Sequence, residues 1–207
     1  MKASAQRSAW SLAILAFAFT GSTRAEDTVS KQDIQAKLQY CEVCHGVSAQ
    51  GYPGYYPIPR LAGQQVDYIK GQLQGFAEQK RTNNIMFNIG HVLSPAMISA
   101  LATSFHDLDP KPIGGAPKEL VAEGKKIYEE GIPSAKVAAC ASCHGHDARG
   151  NGQFPRLAGQ LYGYVSVQLT NWSKERGEVL SSVMAPIARA LTDAQIRAVA
   201  AYVSYLE

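Results

Sequence analysis

The chain contains two copies of one sequence pattern, and this internal repeat constrains its fold more than any other feature. Residues 41–45 read Cys-Glu-Val-Cys-His, and residues 140–144 read Cys-Ala-Ser-Cys-His, 99 positions later. Residues 59–64, Pro-Arg-Leu-Ala-Gly-Gln, return unchanged at 155–160, 96 positions later. Because the matches keep their order and nearly their spacing, the repeat predicts two tandem domains of similar build.

The boundaries of these domains follow from the segments that flank the repeats. Residues 109–117 read Asp-Pro-Lys-Pro-Ile-Gly-Gly-Ala-Pro, a composition typical of a linker. We therefore expect a leader over residues 1–25, a first domain over 26–112 and a second domain over 113–207.

The leader has the pattern of a secretory signal. Lys2 and Arg7 give it a positive start, an apolar run covers residues 9–19, and Thr23-Arg24-Ala25 fits a small-residue cleavage site. The run is shorter than the roughly 20 residues of a membrane-spanning helix, which disfavours the alternative of a retained anchor. We expect cleavage after Ala25 and an exported, periplasmic protein with no later membrane span, whose peripheral association with a membrane stays open.

Charge narrows the classes of partner. The chain has 20 basic and 17 acidic side chains, but Lys2, Arg7 and Arg24 belong to the leader, so 17 of each remain after cleavage. A neutral chain lacks the positive field that nucleic acid binding usually exploits. We therefore exclude nucleic acid as a partner.

Each copy predicts three main helices and little strand, hence an all-α fold. The first helix is expected at about 31–40 and 118–130, with the cysteine motif near its end. The last helix is expected to begin at Ser94 and at Thr192, which have the character of N-caps. The middle helix carries an apolar stripe at helical spacing: Val66, Ile69, Leu73 and Phe76, matched by Tyr162, Val165, Leu169 and Trp172.

The cysteine motifs predict a cofactor for each copy. Cys-x-x-Cys-His is the attachment signature of c-type haem, because two thiols one helical turn apart can add to both vinyl groups of one porphyrin edge. The histidine that follows can then reach the iron. A large apolar cofactor also suits small domains with long Gly- and Pro-rich loops and thin cores. The predicted covalent ligands are Cys41, Cys44, Cys140 and Cys143, and the predicted axial ligands are His45 and His144.

Two other uses of paired cysteines fit less well. A single zinc site would need the two pairs to meet across about 95 intervening residues, far from the usual spacing of zinc ribbons. A redox-active dithiol would need a βαβ context and would leave both trailing histidines without a role.

The second axial ligand decides whether a haem carries electrons or binds substrate. Met86 and Met184 match at a shift of 98 and lie 41 and 40 residues after the predicted proximal histidines, in segments that we expect to be loops. They are therefore the predicted sixth ligands. The other candidates either match a residue that is not a haem ligand in the other copy or lie too close to the cysteine motif to reach the far face of the haem. They are Met97, His91, His106 and His146.

These paired motifs resemble the dihaem cytochrome c4 family, and the resemblance covers nearly the whole chain after the leader. It implies two class I cytochrome c domains, related by a pseudo-twofold axis, with their haems facing each other across the interface. It also implies that Pro59 and Pro155 offer their carbonyl groups to the proximal histidines, and that Leu61 and Leu157 pack on the haems.

The expected function is that of a carrier of single electrons rather than an enzyme, because two filled axial positions leave no place for substrate. We expect it to deliver electrons towards a terminal oxidase, with respiratory complexes or other redox proteins as partners. The alternative is a dedicated electron-accepting subunit of a periplasmic dehydrogenase that oxidises thiosulfate or an alcohol. A dihaem peroxidase is disfavoured, since a catalytic haem needs a vacant or displaceable ligand.

Overall fold

The computed structural model describes residues 28–176 and 182–207. These residues form ten α-helices and only isolated β-bridges, which confirms the all-α prediction. The predicted leader lies outside the described residues. The helices are α1 (Lys31–His45), α2 (Val66–Ala77), α3 (Asn84–Gly90), α4 (Pro95–His106), α5 (Val121–Glu130), α6 (Ala141–His144), α7 (Tyr162–Thr170), α8 (Trp172–Glu175), α9 (Met184–Ala190) and α10 (Asp193–Tyr205).

The first cysteine motif lies inside a helix. The side chain of Ser30 caps α1 by accepting the backbone N–H of Asp33. The motif lies near the end of this helix, as expected, and the helix runs beyond the expected residue 40 to His45 and stops at Gly46, whose φ of +79° favours glycine.

The second copy departs from the expectation of one helix that carries the motif near its end. A 3₁₀ turn (Lys118–Leu120) precedes α5, which ends at Gly131 with φ +71°. A second 3₁₀ turn (Pro133–Ala135) follows, and the motif begins a separate short helix, α6. The extra loop interrupts the helix because glycine and proline both disfavour helix continuation there.

The predicted last helices are present as α4 and α10, and the predicted middle helices as α2 and α7. Helix α7 ends at Thr170, however, so Trp172 of the predicted stripe lies in the separate helix α8. Ser94 caps α4 by accepting the N–H of Met97. Thr192 caps α10 in a capping box with Gln195. The predicted core residues of these last helices are buried: Ile98, Leu101, Phe105, Ile196, Val199 and Val203.

The expected loop around each of the paired methionines is wrong, because Met86 lies in α3 and Met184 begins α9. Asn83, whose neighbour is also an asparagine, suggests a turn from sequence alone, yet its side chain caps α3 by accepting the N–H of Met86 at 2.9 Å. Among the described residues no single helix has the length and hydropathy of a membrane span. Helices α3 and α4 pass such a test only as a pair, and they are bent by 114°.

The described residues form two separate hydrophobic cores, one in each half of the chain. In the first, Ile69, Leu101 and Phe105 pack where α2 meets α4. In the second, α10 packs against α5 and α7. Helices α5 and α10 approach so closely that a Cβ at Gly124 would collide with the carbonyl group of Ala198.

Candidate functional site

The imidazole of His45 is buried and held by one hydrogen bond to the backbone. Its Nδ1 lies 2.8 Å from the carbonyl oxygen of Pro59, so Nδ1 carries the proton and donates. Burial lowers the pKa of His45, and the hydrogen bond to Pro59 opposes that shift only in part. The ring is therefore neutral at neutral pH, with Nε2 in the lone-pair form that ligates metals.

His144 repeats this arrangement in the second half of the chain. Its Nδ1 lies 3.0 Å from the carbonyl oxygen of Pro155, and burial again lowers the pKa of the ring. The two histidines that follow the cysteine pairs thus share one environment, which a chance occurrence of Cys-x-x-Cys-His would not require.

The four cysteines show the same pattern of exposure in the two halves of the chain. Cys44 and Cys143 are exposed, whereas Cys41 and Cys140 are half-buried. Burial raises the pKa of the Cys41 thiol, and it raises the pKa of Cys140 to about 11. Within the described ranges no three His, Cys, Asp or Glu side chains lie close enough to share a metal ion.

The predicted packing leucines and axial methionines occupy matching places in the two halves. Leu61 and Leu157 are partly buried and each packs against the core of its own half. Met86 and Met184 are both half-buried at the helices that precede α4 and α10. Their roles as sixth ligands stay predictions.

The competing ligand candidates either make other contacts or are exposed. Met97 packs against the first core. The ring of His91 stacks on Phe87 at 5.6 Å. His106 donates from Nδ1 to the carbonyl oxygen of Gln64 at 2.9 Å, and His146 is exposed.

Two buried glutamines join the halves by the same hydrogen bonds in opposite directions. Oε1 of Gln160 accepts the backbone N–H of Arg60 at 2.9 Å, and Nε2 of Gln160 donates to the carbonyl oxygen of Arg60 at 3.0 Å. Gln64 makes the corresponding bonds to Arg156, at 2.7 and 3.0 Å. The contact is reciprocal, as a pseudo-twofold relation between the halves requires.

The side chains of the two arginines meet at a single carboxylate. Arg60 and Arg156 are both buried, and their Nη2 atoms lie 3.4 and 3.6 Å from Oδ1 of Asp109 in the predicted linker. Burial lowers the pKa of both guanidinium groups, and Asp109 opposes the shift. Asp109 therefore compensates one buried cation from each half.

A second arginine pair lies between α2 and α7. Arg81 donates to the phenol of Tyr164 at 2.8 Å, and Arg176 donates to the phenol of Tyr68 at 3.1 Å, so each arginine reaches the other half. Burial by itself would raise the pKa of Tyr68, but Arg176 and Arg81 lower it. Each arginine also stacks on an aromatic ring of its own half, Arg81 on Phe76 at 4.5 Å and Arg176 on Trp172 at 4.4 Å.

The described neighbours of this second arginine pair favour its positive charge, because Tyr68, Tyr164 and Glu175 raise the pKa of Arg176 against the effect of burial. Arg81 and Arg176 are both buried, and the carboxylate of Glu175, bonded to Gln168, is the acid that acts on Arg176. The indole Nε1 of Trp172 is a buried donor with no acceptor in the described part of the chain. A buried donor without a partner calls for an acceptor, and a carboxylate of the kind that every haem carries would fit that requirement.

Sequence reasoning missed most of these interface residues. Arg60, Gln64, Arg156 and Gln160 belong to the identical hexapeptides, yet the family resemblance assigns a role only to the proline and the leucine of each. Another signal was available in the repeat, because Tyr68 and Gln72 match Tyr164 and Gln168 at a shift of 96. Asp109 matches Glu207 at the shift of 98 that relates the last helices, but its contact with both arginines is seen only in the structure.

Comparisons with known proteins agree with this arrangement. Residues 121–207 match the family model described as cytochrome c. The chain is 40% identical over 172 residues to cytochrome c-552 of Acidithiobacillus ferridurans, covering 80% of this chain and 73% of that protein. It is 38% identical to the thiosulfate dehydrogenase electron acceptor of Thiomonas intermedia, covering 79% and 77%. The structure of Acidithiobacillus ferrooxidans cytochrome c4 superposes with a TM-score of 0.70 at 36% identity, covering 81% of this chain and 99% of that one.

Proposed function

This chain belongs to the dihaem cytochrome c4 family of electron carriers, with two class I cytochrome c folds and covalently bound haem c, and on that premise we propose which residues hold the haems and where electrons enter and leave. Haem 1 is attached through Cys41 and Cys44, and haem 2 through Cys140 and Cys143. The observation that carries this assignment is the repeated bond from Nδ1 of the motif histidine to a proline carbonyl. The domain division at residues 112 and 113 belongs to the same proposal.

The protein supplies each haem with fixed ligands and a dry, apolar surrounding. His45 and Met86 ligate the iron of haem 1, and His144 and Met184 that of haem 2. Leu61 and Leu157 pack on the rings. Each bound haem supplies a one-electron ferric/ferrous couple, and methionine as a ligand favours the ferrous state.

The interface side chains hold the acidic edges of the haems and bring the two halves together. Arg81, Arg176 and Trp172 have the charge and the free donor needed for the haem carboxylates. Both proline-arginine segments meet across the interface, so the segments that would support the two haems are in direct contact. We therefore assign internal transfer to this interface.

Partners dock at the loop of the first half that exposes its aromatic side chains. Tyr52, Tyr55 and Tyr56 expose 57%, 92% and 81% of their surface. The rings of Tyr55 and Tyr56 meet edge to face at 4.8 Å. An exposed apolar cluster on a neutral chain favours a short-lived, weakly charged encounter with a redox protein.

The direction of electron flow that we propose is from periplasmic donors towards a terminal oxidase. A second candidate is the electron acceptor of a thiosulfate dehydrogenase, and the 38% identity to the Thiomonas intermedia protein of that name favours it. Both roles use the same haem sites and need no bound substrate, so we propose that the chain itself is not an enzyme.

The haem assignments are tested by mass spectrometry and a redox titration of the exported protein. We expect a mass increase of two haems, two one-electron transitions and no binding of carbon monoxide by the reduced protein. Stopped-flow oxidation by oxidase-containing membranes and reduction by purified thiosulfate dehydrogenase with thiosulfate then separate the two roles. Ready binding of carbon monoxide to either ferrous haem would contradict the proposal, since it requires an open axial position.

A further inference from the structure

The peptide group between Pro59 and Arg60 makes hydrogen bonds on both sides. Its carbonyl oxygen accepts from Nδ1 of His45 at 2.8 Å, and its N–H donates to Oε1 of Gln160 at 2.9 Å. Since a peptide is conjugated from nitrogen to oxygen, the two bonds act on one electronic system. The side chain of Gln160, in the opposite half of the chain, is therefore bonded to the same peptide group that holds the imidazole of His45.

The same chain of atoms exists in the reverse direction. The carbonyl oxygen of Pro155 accepts from Nδ1 of His144 at 3.0 Å, while the N–H of Arg156 donates to Oε1 of Gln64 at 2.7 Å. Gln64 and Gln160 are each 5% exposed, so water does not compete for these bonds. The peptide that holds each histidine is thus bonded to a glutamine of the other half.

We infer that each glutamine is a positioning residue that sets the reduction potential of the haem in the other half. An N–H that donates polarises its peptide and makes the carbonyl oxygen a stronger acceptor. A stronger acceptor draws the Nδ1 proton and makes the imidazole a more basic ligand, which stabilises ferric iron and lowers the potential. Gln160 acts in this way on haem 1, and Gln64 on haem 2.

Each glutamine is also fixed so that its oxygen faces the peptide. Oε1 of Gln160 accepts a second bond from the N–H of Leu161 at 3.0 Å, and Oε1 of Gln64 accepts one from Gln65 at 2.9 Å. The Nε2 atoms donate to the carbonyl oxygens of Arg60 and Arg156. The amide cannot flip without losing all three bonds, so the polarisation has a fixed sign.

This inference rests on His45 and His144 as iron ligands, and its test is a crossed pair of substitutions in the holoprotein. Gln160→Met keeps a side chain of similar length and removes the acceptor oxygen. We expect it to increase the equilibrium constant for reduction of haem 1 about two- to fivefold, which raises the potential by roughly 20–40 mV at 59 mV per tenfold. Haem 2 should change less. Gln64→Met should give the opposite pattern and serves equally if Gln160→Met fails to mature.

Spectroelectrochemistry gives the potentials, and paramagnetic NMR assigns each to a haem through contacts with its own domain. Gln160→Glu, which keeps an acceptor oxygen, should leave the potential of haem 1 at or below the wild-type value. In the reduced protein the Nδ1 proton of His45 should move upfield in Gln160→Met and not in Gln64→Met. Equal shifts of both haems, or a larger shift in the substituted half, would overturn the inference. Failure of the ligand assignment itself would instead show in the unsubstituted protein, as an altered haem count or binding of carbon monoxide.

Discussion

Arg81 and Arg176 donate to one and the same oxygen, Oε1 of Gln72, at 2.7 and 3.0 Å. Two cations from different halves of the chain are thereby brought together at a buried site. Bringing like charges out of water is costly unless anions compensate them. We therefore expect the pair to contribute to the energetics of electron uptake, because reduction of a haem adds negative charge.

The first prediction concerns this charge. Arg176→Gln should lower the potential of haem 2, since a cation near the haem stabilises the added electron. With an effective dielectric constant of about 20, the loss is on the order of 1 kcal/mol, or roughly 40 mV for one electron. A spectroelectrochemical titration measures it.

The matched control for Arg176 is Lys80→Gln. Lys80 is an exposed cation paired with Glu78, and solvent screens such pairs strongly. Its removal should leave both potentials near their wild-type values. Equal effects of the two substitutions would show that Arg176 acts only through the net charge of the protein.

The second prediction concerns the axial methionines. Met86→Ala and Met184→Ala should each remove about half of the charge-transfer band between methionine sulfur and ferric iron, and each should lower one potential. Absorption spectra of the oxidised variants measure the band. Because Asn83 caps α3 at Met86, Asn83→Ala should weaken the band of haem 1 less than Met86→Ala does.

Met97→Ala is the control for these substitutions. Met97 packs against the first core, so its loss should cost about 1–3 kcal/mol of stability and keep the full band. An intact band in Met86→Ala, together with altered haem spectra in Met97→Ala or His91→Ala, would move the sixth ligand of haem 1 to one of those residues.

The third prediction concerns the linker. Asp109→Asn removes the carboxylate shared by Arg60 and Arg156. Because the Asp109 side chain is 67% exposed, solvent screens the interaction and the expected loss of stability is about 1 kcal/mol. Guanidinium unfolding of the holoprotein, followed by circular dichroism, should show a lower midpoint. Asp107→Asn, at an exposed neighbour, should not.

The parts of the fold that could be predicted are those encoded locally and twice. Ser94 and Thr192 marked the starts of α4 and α10 because an N-cap needs only a side-chain oxygen and the next three residues. The cysteine motifs likewise carry their chemistry within five residues. Each of these local patterns occurs in both copies of the repeat, which strengthens the prediction.

Features that depend on contacts distant in sequence could not be predicted. Asp109 lies 49 residues from Arg60 along the chain, and nothing near either residue indicates the pair. The crossed glutamine bonds join positions 92 and 100 residues apart. Helix α3 was missed for a local reason, since Asn83 and Asn84 suit a turn as well as a cap.

The fourth prediction concerns export. N-terminal sequencing of the protein recovered from the periplasm should begin at Glu26, because Thr23-Arg24-Ala25 fits signal peptidase cleavage. Replacing Ala25 with a bulky residue should retain the leader and slow release from the membrane. A mature protein that begins at Met1 would contradict the leader assignment.

The fifth prediction concerns docking. The double substitution Tyr55→Ser and Tyr56→Ser removes the most exposed aromatic pair of the chain's first half. Loss of aromatic anchors weakens interfaces by about 1–2 kcal/mol each, so the second-order rate constant for electron transfer to oxidase-containing membranes should fall about tenfold or more. Stopped-flow spectroscopy measures this rate.

A docking effect is separated from a haem effect by the potentials and by a matched variant. Both potentials should stay unchanged in the tyrosine variant, since the predicted axial histidines are supported by the carbonyl groups of Pro59 and Pro155 and not by these tyrosines. Val92→Ser removes another exposed apolar side chain, 67% accessible, from the turn between α3 and α4. If Val92→Ser slows transfer as much as the tyrosine variant does, the partner uses apolar surface of the first half in general, and the assignment of docking to this loop is wrong.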